Sequence, residues 1–266
     1  MADMIFWYIA TALAAVVPPL IYMVWIRNQE ICQRESYSSL LAVFIFGASV
    51  SVGVSYVLES AVISVLYSPG SPFAKGFWSF QPYDPVLETF LLAVIIAPLI
   101  EETMKSTGVF YVHGRLNEPE DGLIYGATVG LGFAASENIL YLLAAISGGA
   151  QDFALTAVIR ALTSTLLHAS AAGIAGYGIA RARLFALEGR HVSWVKYLGI
   201  AMLMHASFNL FAILGTIVPV DQATFAFIGL ILAFVVAIGG ITYVRGMIVE
   251  LDRSRPCPPN PPRQQF

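Results

Sequence analysis

Long apolar runs separated by short polar segments are the dominant pattern of this chain. A helix needs about 20 mostly apolar residues to cross the hydrocarbon core of a bilayer. Seven segments are long enough, and the Gly and Pro inside them are better tolerated in membrane helices than in soluble ones. The predicted spans are residues 4–26, 38–66, 86–112, 121–146, 154–181, 194–218 and 222–246. The pattern predicts an all-α protein, a polytopic transmembrane bundle of about seven helices.

The composition agrees with a multi-pass protein of the cell membrane. Hydrophobic residues make up 58% of the chain and charged residues 12%, with a mean hydropathy of +0.74. Soluble domains are about half apolar and about a quarter charged. The sequence has no basic patch with interleaved aromatic residues, so we expect no nucleic-acid partner. The first apolar run follows a segment without Lys or Arg, so we expect a retained span rather than a cleaved signal peptide.

The distribution of Lys and Arg predicts the orientation of the bundle. Loops and termini on one side hold 11 of these residues, and the opposite side holds Lys75 alone. Because Lys and Arg concentrate in cytoplasmic loops, the N-terminus is predicted outside and the C-terminus inside. We expect one transmembrane domain over residues 1–250. The Pro-rich segment 251–266 is predicted to be a disordered cytoplasmic tail.

Three charged residues interrupt the third predicted span. Glu101 and Lys105 are spaced i,i+4, and Glu102 and Lys105 are spaced i,i+3, so all three share one side of a helix. Ionisable groups inside a membrane are costly and mark functional sites. A self-neutralising ion pair needs one Glu beside Lys105, which leaves the second carboxylate unexplained. The presence of two neighbouring glutamates therefore indicates acid–base chemistry.

The next three spans supply further polar residues: Glu137 in the fourth, His168 in the fifth, and His205 with Asn209 in the sixth. Small residues before Glu137 let helices approach closely, so this carboxylate is predicted to face inward. At 1.5 Å per residue, Glu101 and His205 lie roughly 16 Å from the cytoplasmic side, His168 about 21 Å and Glu137 about 24 Å. A boundary error of about 5 Å allows all four to share one layer.

Each of these residues also has a purely structural interpretation. Glu137 is a carboxylate that Asn138 or Arg160 could tie to a neighbouring helix. A membrane histidine is often an interhelical hydrogen-bonding group. Arg160, near the outer end of the fifth span, could reach the interface or pair with a carboxylate such as Glu59 or Glu88.

Four sequence blocks, taken in order, resemble the PrsW family of intramembrane proteases. They are EETMK at 101–105, EPEDGLIYGATVGLGFAASENILYL at 118–142, His168 in LLHASAAGIAGYGIA, and HASFN at 205–209. The resemblance covers the third to sixth spans, and its second block is long and specific. It implies cleavage of a membrane-anchored protein in or near the bilayer. In the best-known family setting, the substrate is a membrane-bound anti-sigma factor cut at an extracytoplasmic site.

The resemblance also implies kinship with the CAAX-processing and bacteriocin-immunity proteases and with a polytopic subunit of gamma-secretase. Two departures from the CAAX-processing relatives matter. Those relatives carry EExxxR and FxxxH, whereas this chain has EExxK and, from Phe133 to Glu137, FxxxE. Glu137 therefore stands where those relatives have a histidine, and their mechanism cannot be transferred unchanged.

A metal-free mechanism is one of two that the residues allow. In it, Glu101 takes a proton from water while Glu102 and Lys105 tune its basicity. His205 and Asn209 donate hydrogen bonds to the oxyanion, in the positions that the CAAX-processing relatives use.

A zinc mechanism is the other. His168, His205 and Glu137 would bind Zn²⁺ with a water in the fourth position, a known catalytic ligand set. Glu101 or Glu102 would then act as the base. The chain has no HExxH motif, so no local zinc signature decides between the two mechanisms.

Two other functional classes use the same polar residues. An ion-coupled transporter would use them as a proton or cation path, although such proteins often show paired repeats and none is evident here. A non-catalytic scaffold that binds membrane helices is the second alternative. A cleavage assay compared with a transport assay separates the three classes.

Overall fold

The computed structural model describes residues 2–68 and 85–255, and this part of the chain is helical with no strand. The helices are α1 (Ala2–Arg27), α2 (Tyr37–Phe46), α3 (Val52–Tyr67), α4 (Pro85–Phe90), α5 (Ala97–Tyr111), α6 (Pro119–Ala145), α7 (Ala150–Leu162), α8 (Ser164–Leu187), α9 (Val195–Ala212), α10 (Leu214–Ile217) and α11 (Gln222–Arg253). Two π-helical segments, Gly47–Ser51 and Leu91–Ile96, join α2 to α3 and α4 to α5. Short 3₁₀ turns follow α5 and α6.

Within the described residues, six helical segments are long and apolar enough to cross a membrane. They are Met4–Arg27, Tyr37–Leu66, Pro119–Gly148, Ala150–Leu187, Val195–Ala212 and Gln222–Arg253. These correspond to six of the seven predicted spans and confirm an all-α, multi-pass architecture. The remaining predicted span, 86–112, is helical as α4, its π segment and α5. Because Glu101, Glu102 and Lys105 interrupt this segment, its crossing of the membrane stays a prediction. The orientation of the bundle stays a prediction as well.

The last helix extends past the predicted end of the transmembrane domain. Helix α11 ends at Arg253, a few residues beyond position 250. Residues 256–266, most of the predicted disordered tail, lie outside the described residues. The division of the chain into one domain and a tail therefore stays a prediction.

The fifth predicted span consists of two helices instead of one. The backbone of Thr163 leaves the helical region, with φ −123° and ψ −81°, and separates α7 from α8. Its hydroxyl donates to the carbonyl of Ile159 at 2.7 Å. No Gly or Pro marks position 163, so the sequence carries none of the usual signals of a break. The break places Arg160 on a separate helix from His168.

Helix α6 is the centre of the bundle and packs along most of its length against α8. Gly122, Gly126 and Gly130, spaced four residues apart, form its contact surface. A Cβ atom on Gly126 would collide with the carbonyl of Ala172, and one on Gly130 with the carbonyl of His168. Such small-residue repeats let two membrane helices approach at backbone distance. This contact brings Glu137 of α6 beside His168 of α8.

We expect Gly130→Ala to destabilise the protein by about 1–3 kcal/mol, because the added methyl group has no room against α8. The control is Gly199→Ala in α9, where a Cβ would meet nothing within 4 Å. Alanine there should leave stability unchanged or raise it by up to about 1 kcal/mol. Unfolding by SDS titration measures both. Equal stabilities of the two variants would contradict the close α6–α8 contact.

Candidate active site

Helix α5 supplies two carboxylates and one ammonium group to the interior of the bundle. Glu101 is 7% exposed, and Glu102 and Lys105 are 0% exposed. Lys105 Nζ donates to Glu101 Oε2 at 3.1 Å and to Glu102 Oε1 at 2.7 Å. The i,i+3 and i,i+4 spacing therefore produces a three-membered ion cluster, as the sequence predicts. Phe133 of α6 covers it, with Lys105 Nζ 4.1 Å from its ring centre.

Helix α9 brings His205 to the same two carboxylates. Its Nδ1 lies 2.9 Å from Glu102 Oε1, and its Nε2 lies 3.9 Å from Glu101 Oε2. The ring is 2% exposed. His205 thus contacts Glu102 through one nitrogen and turns the other toward Glu101.

Helix α8 places His168 against the same cluster, next to His205. Its Nδ1 lies 2.8 Å from Lys105 Nζ and 4.0 Å from Glu101 Oε2. Its Nε2 lies 2.7 Å from Glu137 Oε2. The rings of His168 and His205 meet edge to face, with centres 4.9 Å apart. Four helices therefore converge on one buried centre.

Glu137 is held at the edge of this centre by Arg160. Arg160 Nη2 lies 2.8 Å from Glu137 Oε2, and its Nε donates to Asn138 Oδ1 at 2.6 Å. The structure thus contains an ion pair between Glu137 and Arg160, which is the structural interpretation that the sequence offered for Glu137. Arg160 takes Glu137 as its carboxylate partner, in place of the Glu59 or Glu88 that the sequence suggested.

Asn209 contacts the backbone of a neighbouring helical segment, and its predicted role as a donor to the oxyanion stays a prediction. Its Nδ2 donates to the carbonyl of Ala93 at 2.7 Å, within the π-helical segment that precedes α5. In the π-helical pattern the partner of the Ala93 carbonyl would be the N–H of residue 98, which is a proline and has none. Asn209 therefore joins α9 to the helix that carries Glu101.

One oxygen and two nitrogens in this centre are close enough to bind a single metal ion. Ligand atoms of Glu101, His168 and His205 all lie within 4.8 Å of one another. The second nitrogen of each histidine faces a further carboxylate, Glu137 for His168 and Glu102 for His205. Carboxylates in that position orient metal-binding histidines. The geometry groups Glu101 with the two histidines, whereas the sequence suggested Glu137 as the third ligand.

Two supporting residues, Ser164 and Thr165, were not evident in the sequence. Asn138 Nδ2 donates to Thr165 Oγ1 at 3.1 Å, and Arg160 Nη2 donates to Ser164 Oγ at 2.9 Å. Both hydroxyls come from the first turn of α8, immediately after the break at Thr163. The i,i+4 spacing of Arg160 and Ser164 was the available signal, but it gains meaning only once the break is known.

Comparison with known proteins identifies the family of this chain. Three proteins named "Protease PrsW" are similar: from Geobacillus kaustophilus, 30% identical over 188 residues (70% of this chain, 72% of the relative); from Bacillus subtilis, 31% over 157 residues (59% and 60%); and from Clostridioides difficile, 29% over 196 residues (72% and 73%). No solved structure shows significant similarity. A family model described as "PrsW family intramembrane metalloprotease" matches residues 35–239, which include every residue of the buried centre. The chain therefore belongs to the PrsW family of intramembrane metalloproteases.

Proposed function

We propose that this protein hydrolyses a peptide bond of a membrane-anchored protein, with Zn²⁺ bound by Glu101, His168 and His205. The observation that carries the proposal is the grouping of these three ligand atoms in a buried centre, within 4.8 Å of one another. Two histidines and one glutamate form a known catalytic zinc set that leaves a position for water.

The surrounding residues fit a metal ion of this kind. Glu137 Oε2 lies 2.7 Å from His168 Nε2, and Glu102 Oε1 lies 2.9 Å from His205 Nδ1. Each carboxylate thus orients one histidine through the nitrogen that faces away from the metal position. Bound there, the ion would supply Lewis-acid activation of water and of the peptide carbonyl. Lys105 Nζ lies 2.8 Å from His168 Nδ1, so its ammonium and a metal ion exclude each other at this nitrogen. Lys105 would then keep its contacts with the two glutamates alone.

The Glu101–Glu102 pair is proposed to handle the proton in either mechanism. One carboxylate takes a proton from the attacking water and returns it to the leaving amine as the peptide bond breaks. Glu102 Oε2 has no hydrogen-bond partner among the described residues. Without a metal, the more exposed Glu101 would be the base, as the CAAX-processing resemblance implies.

The proposed substrate is a membrane-anchored regulator of the anti-sigma-factor type. Support comes from the resemblance of the four motifs and from the location of the centre between membrane helices. Asn209 is proposed as a positioning residue, because its bond to Ala93 fixes α9 against the helix that carries Glu101.

We expect a strong zinc chelator to abolish cleavage by the purified protein in nanodiscs, and added Zn²⁺ to restore it. The purified protein should hold about one zinc ion per chain, measured by elemental analysis. His205→Ala should lose this zinc while remaining folded. A non-chelating isomer of the chelator is the control for effects on the membrane. Full cleavage by zinc-free protein would reject the metal and leave the Glu101 base mechanism, whereas no cleavage of any candidate substrate would count against the protease itself.

A further inference from the structure

A second group of buried carboxylates lies at the opposite end of α6 from Glu137. It combines Glu118 and Asp121, at the start of α6, with Glu30 from the connection between α1 and α2. Carboxylate oxygens of these three residues lie within 4.8 Å of one another. Asp121 and Glu137 are 16 residues apart on one helix, which corresponds to about 24 Å. The group is therefore separate from the candidate active site.

Ordinary helix capping accounts for part of this group. Asp121 Oδ2 accepts hydrogen bonds from the backbone N–H groups of Asn117 and Glu118, at 2.6 and 2.9 Å. Glu118 Oε1 accepts one from Gln33 Nε2 at 3.1 Å. The positive end of the α6 dipole further favours negative charge here. These contacts explain Glu118 and Asp121 without a ligand.

Glu30 is the member that capping does not explain. It is 0% exposed, and neither carboxylate oxygen has a hydrogen-bond partner among the described residues. An isolated buried carboxylate is strongly unfavourable. Burial and the nearby carboxylates, Asp121 first among them, raise the pKa of Glu30 to about 9. A positive ligand placed among these oxygens would remove that cost.

Arginines lie near this group, but among the described residues none donates a hydrogen bond to the Glu30 carboxylate. Arg34 Nε donates to the backbone carbonyl of Glu30 at 2.7 Å instead. Arg255 Nη1 lies 3.6 Å from Glu118 Oε1 and 3.6 Å from Glu120 Oε2. Glu120 is itself buried, and neither of its oxygens accepts a hydrogen bond within the described chain. Glu35 adds a further carboxylate, whose Oε2 accepts from the hydroxyl of Tyr125. Among the described residues here, these five carboxylates exceed the four neighbouring arginines, which are Arg27, Arg34, Arg115 and Arg255.

We propose that Glu30, Glu118 and Asp121 bind a hard divalent cation, Mg²⁺ or Ca²⁺. Both ions take carboxylate oxygens as ligands and complete their coordination with water or carbonyl oxygens. The bound ion joins the α1–α2 connection to the start of α6. The same connection is tied to α11, because Asp252 accepts from the backbone N–H groups of Ile31 and Cys32, both at 3.1 Å. The cation and Asp252 together thus link α6 and α11 to the α1–α2 connection, on the predicted cytoplasmic side of the bundle.

The test is the thermal stability of the full chain in detergent, first freed of metal with EDTA and then titrated with MgCl₂ or CaCl₂. At a hundred times its Kd, the bound ion should raise the apparent Tm by about 5 °C or more. Glu30→Gln should abolish this rise, because it removes the charge and keeps the shape. Glu250→Gln, at an exposed carboxylate of α11, is the matched control and should retain the rise. Glu101→Gln should also retain it, since the candidate active site is remote.

Two outcomes would overturn the proposal. One is no rise for the unmodified protein with either salt, which would leave a proton as the group that neutralises Glu30. The other is an equal rise for Glu30→Gln, which would place the ion elsewhere. If Glu30→Gln does not fold, equilibrium dialysis with Ca²⁺ or Mg²⁺ on Glu118→Gln decides the matter: unchanged binding rejects the site, and lost binding supports it. Which salt acts at the lower concentration identifies the ion.

Discussion

Replacing Glu101 with Gln should reduce cleavage of a reconstituted substrate by at least about 100-fold, while the protein remains folded. The side chain keeps its size and can still contact Lys105, but it can neither take a proton nor neutralise a metal ion. Both mechanisms depend on this carboxylate, as a base or as a metal ligand. The measurement is the initial rate of substrate cleavage in nanodiscs, with folding checked by size-exclusion chromatography and thermal unfolding.

The matched control for this prediction is Glu88→Gln. Glu88 lies on the same continuous helix, 13 residues before Glu101, which is about 20 Å along the axis. The substitution is chemically identical but lies outside the buried centre, so cleavage should change little. Cleavage by Glu101→Gln at the rate of the control would reject Glu101 as a functional residue. Metal analysis of Glu101→Gln adds a second readout, because loss of zinc indicates a ligand and retained zinc indicates a base.

The sequence predicted the members of the buried centre because charge inside a membrane helix is rare and easily seen. Glu101, Glu102 and Lys105 share one helix at spacings that fix their contacts in advance. Depth along the helices placed His168 and His205 in the same layer without any tertiary information. The Gly spacing in α6 likewise indicated a central, closely packed helix.

The partners of each residue could not be predicted in the same way. Whether Glu137 or Glu101 joins the two histidines depends on the rotation of α6 against α8, and helical periodicity leaves that rotation undefined. The break at Thr163 turns Arg160 back toward Glu137, and no Gly or Pro signals it. Asn209 was assigned by analogy with the CAAX-processing relatives, yet its amide contacts the Ala93 carbonyl that the π-helical segment leaves available. These features arise from helix packing rather than from local sequence.

Lys105→Met should destabilise the protein by about 3–5 kcal/mol, the usual cost of breaking a buried ion pair by removing one partner. Lys105 is 0% exposed and donates to both Glu101 and Glu102, so its loss leaves two buried carboxylates without their ammonium partner. SDS titration of the purified protein measures the change in unfolding free energy. Lys196→Met, at an exposed lysine of α9, is the matched control and should lie within about 0.5 kcal/mol of the unmodified protein.

The double variant Lys105→Met/Glu102→Gln distinguishes a charge-balancing lysine from one that merely fills space. Glu102 Oε1 contacts both Lys105 Nζ and His205 Nδ1. Removing the charge of Glu102 should therefore recover much of the stability that is lost with the lysine. If packing of the lysine stem were the cause, the second substitution would add to the loss instead. Added Zn²⁺ gives a further test, because an ion at Glu101, His168 and His205 would replace the missing ammonium charge. Zinc should therefore stabilise Lys105→Met more than the unmodified protein, in which Lys105 already occupies His168 Nδ1.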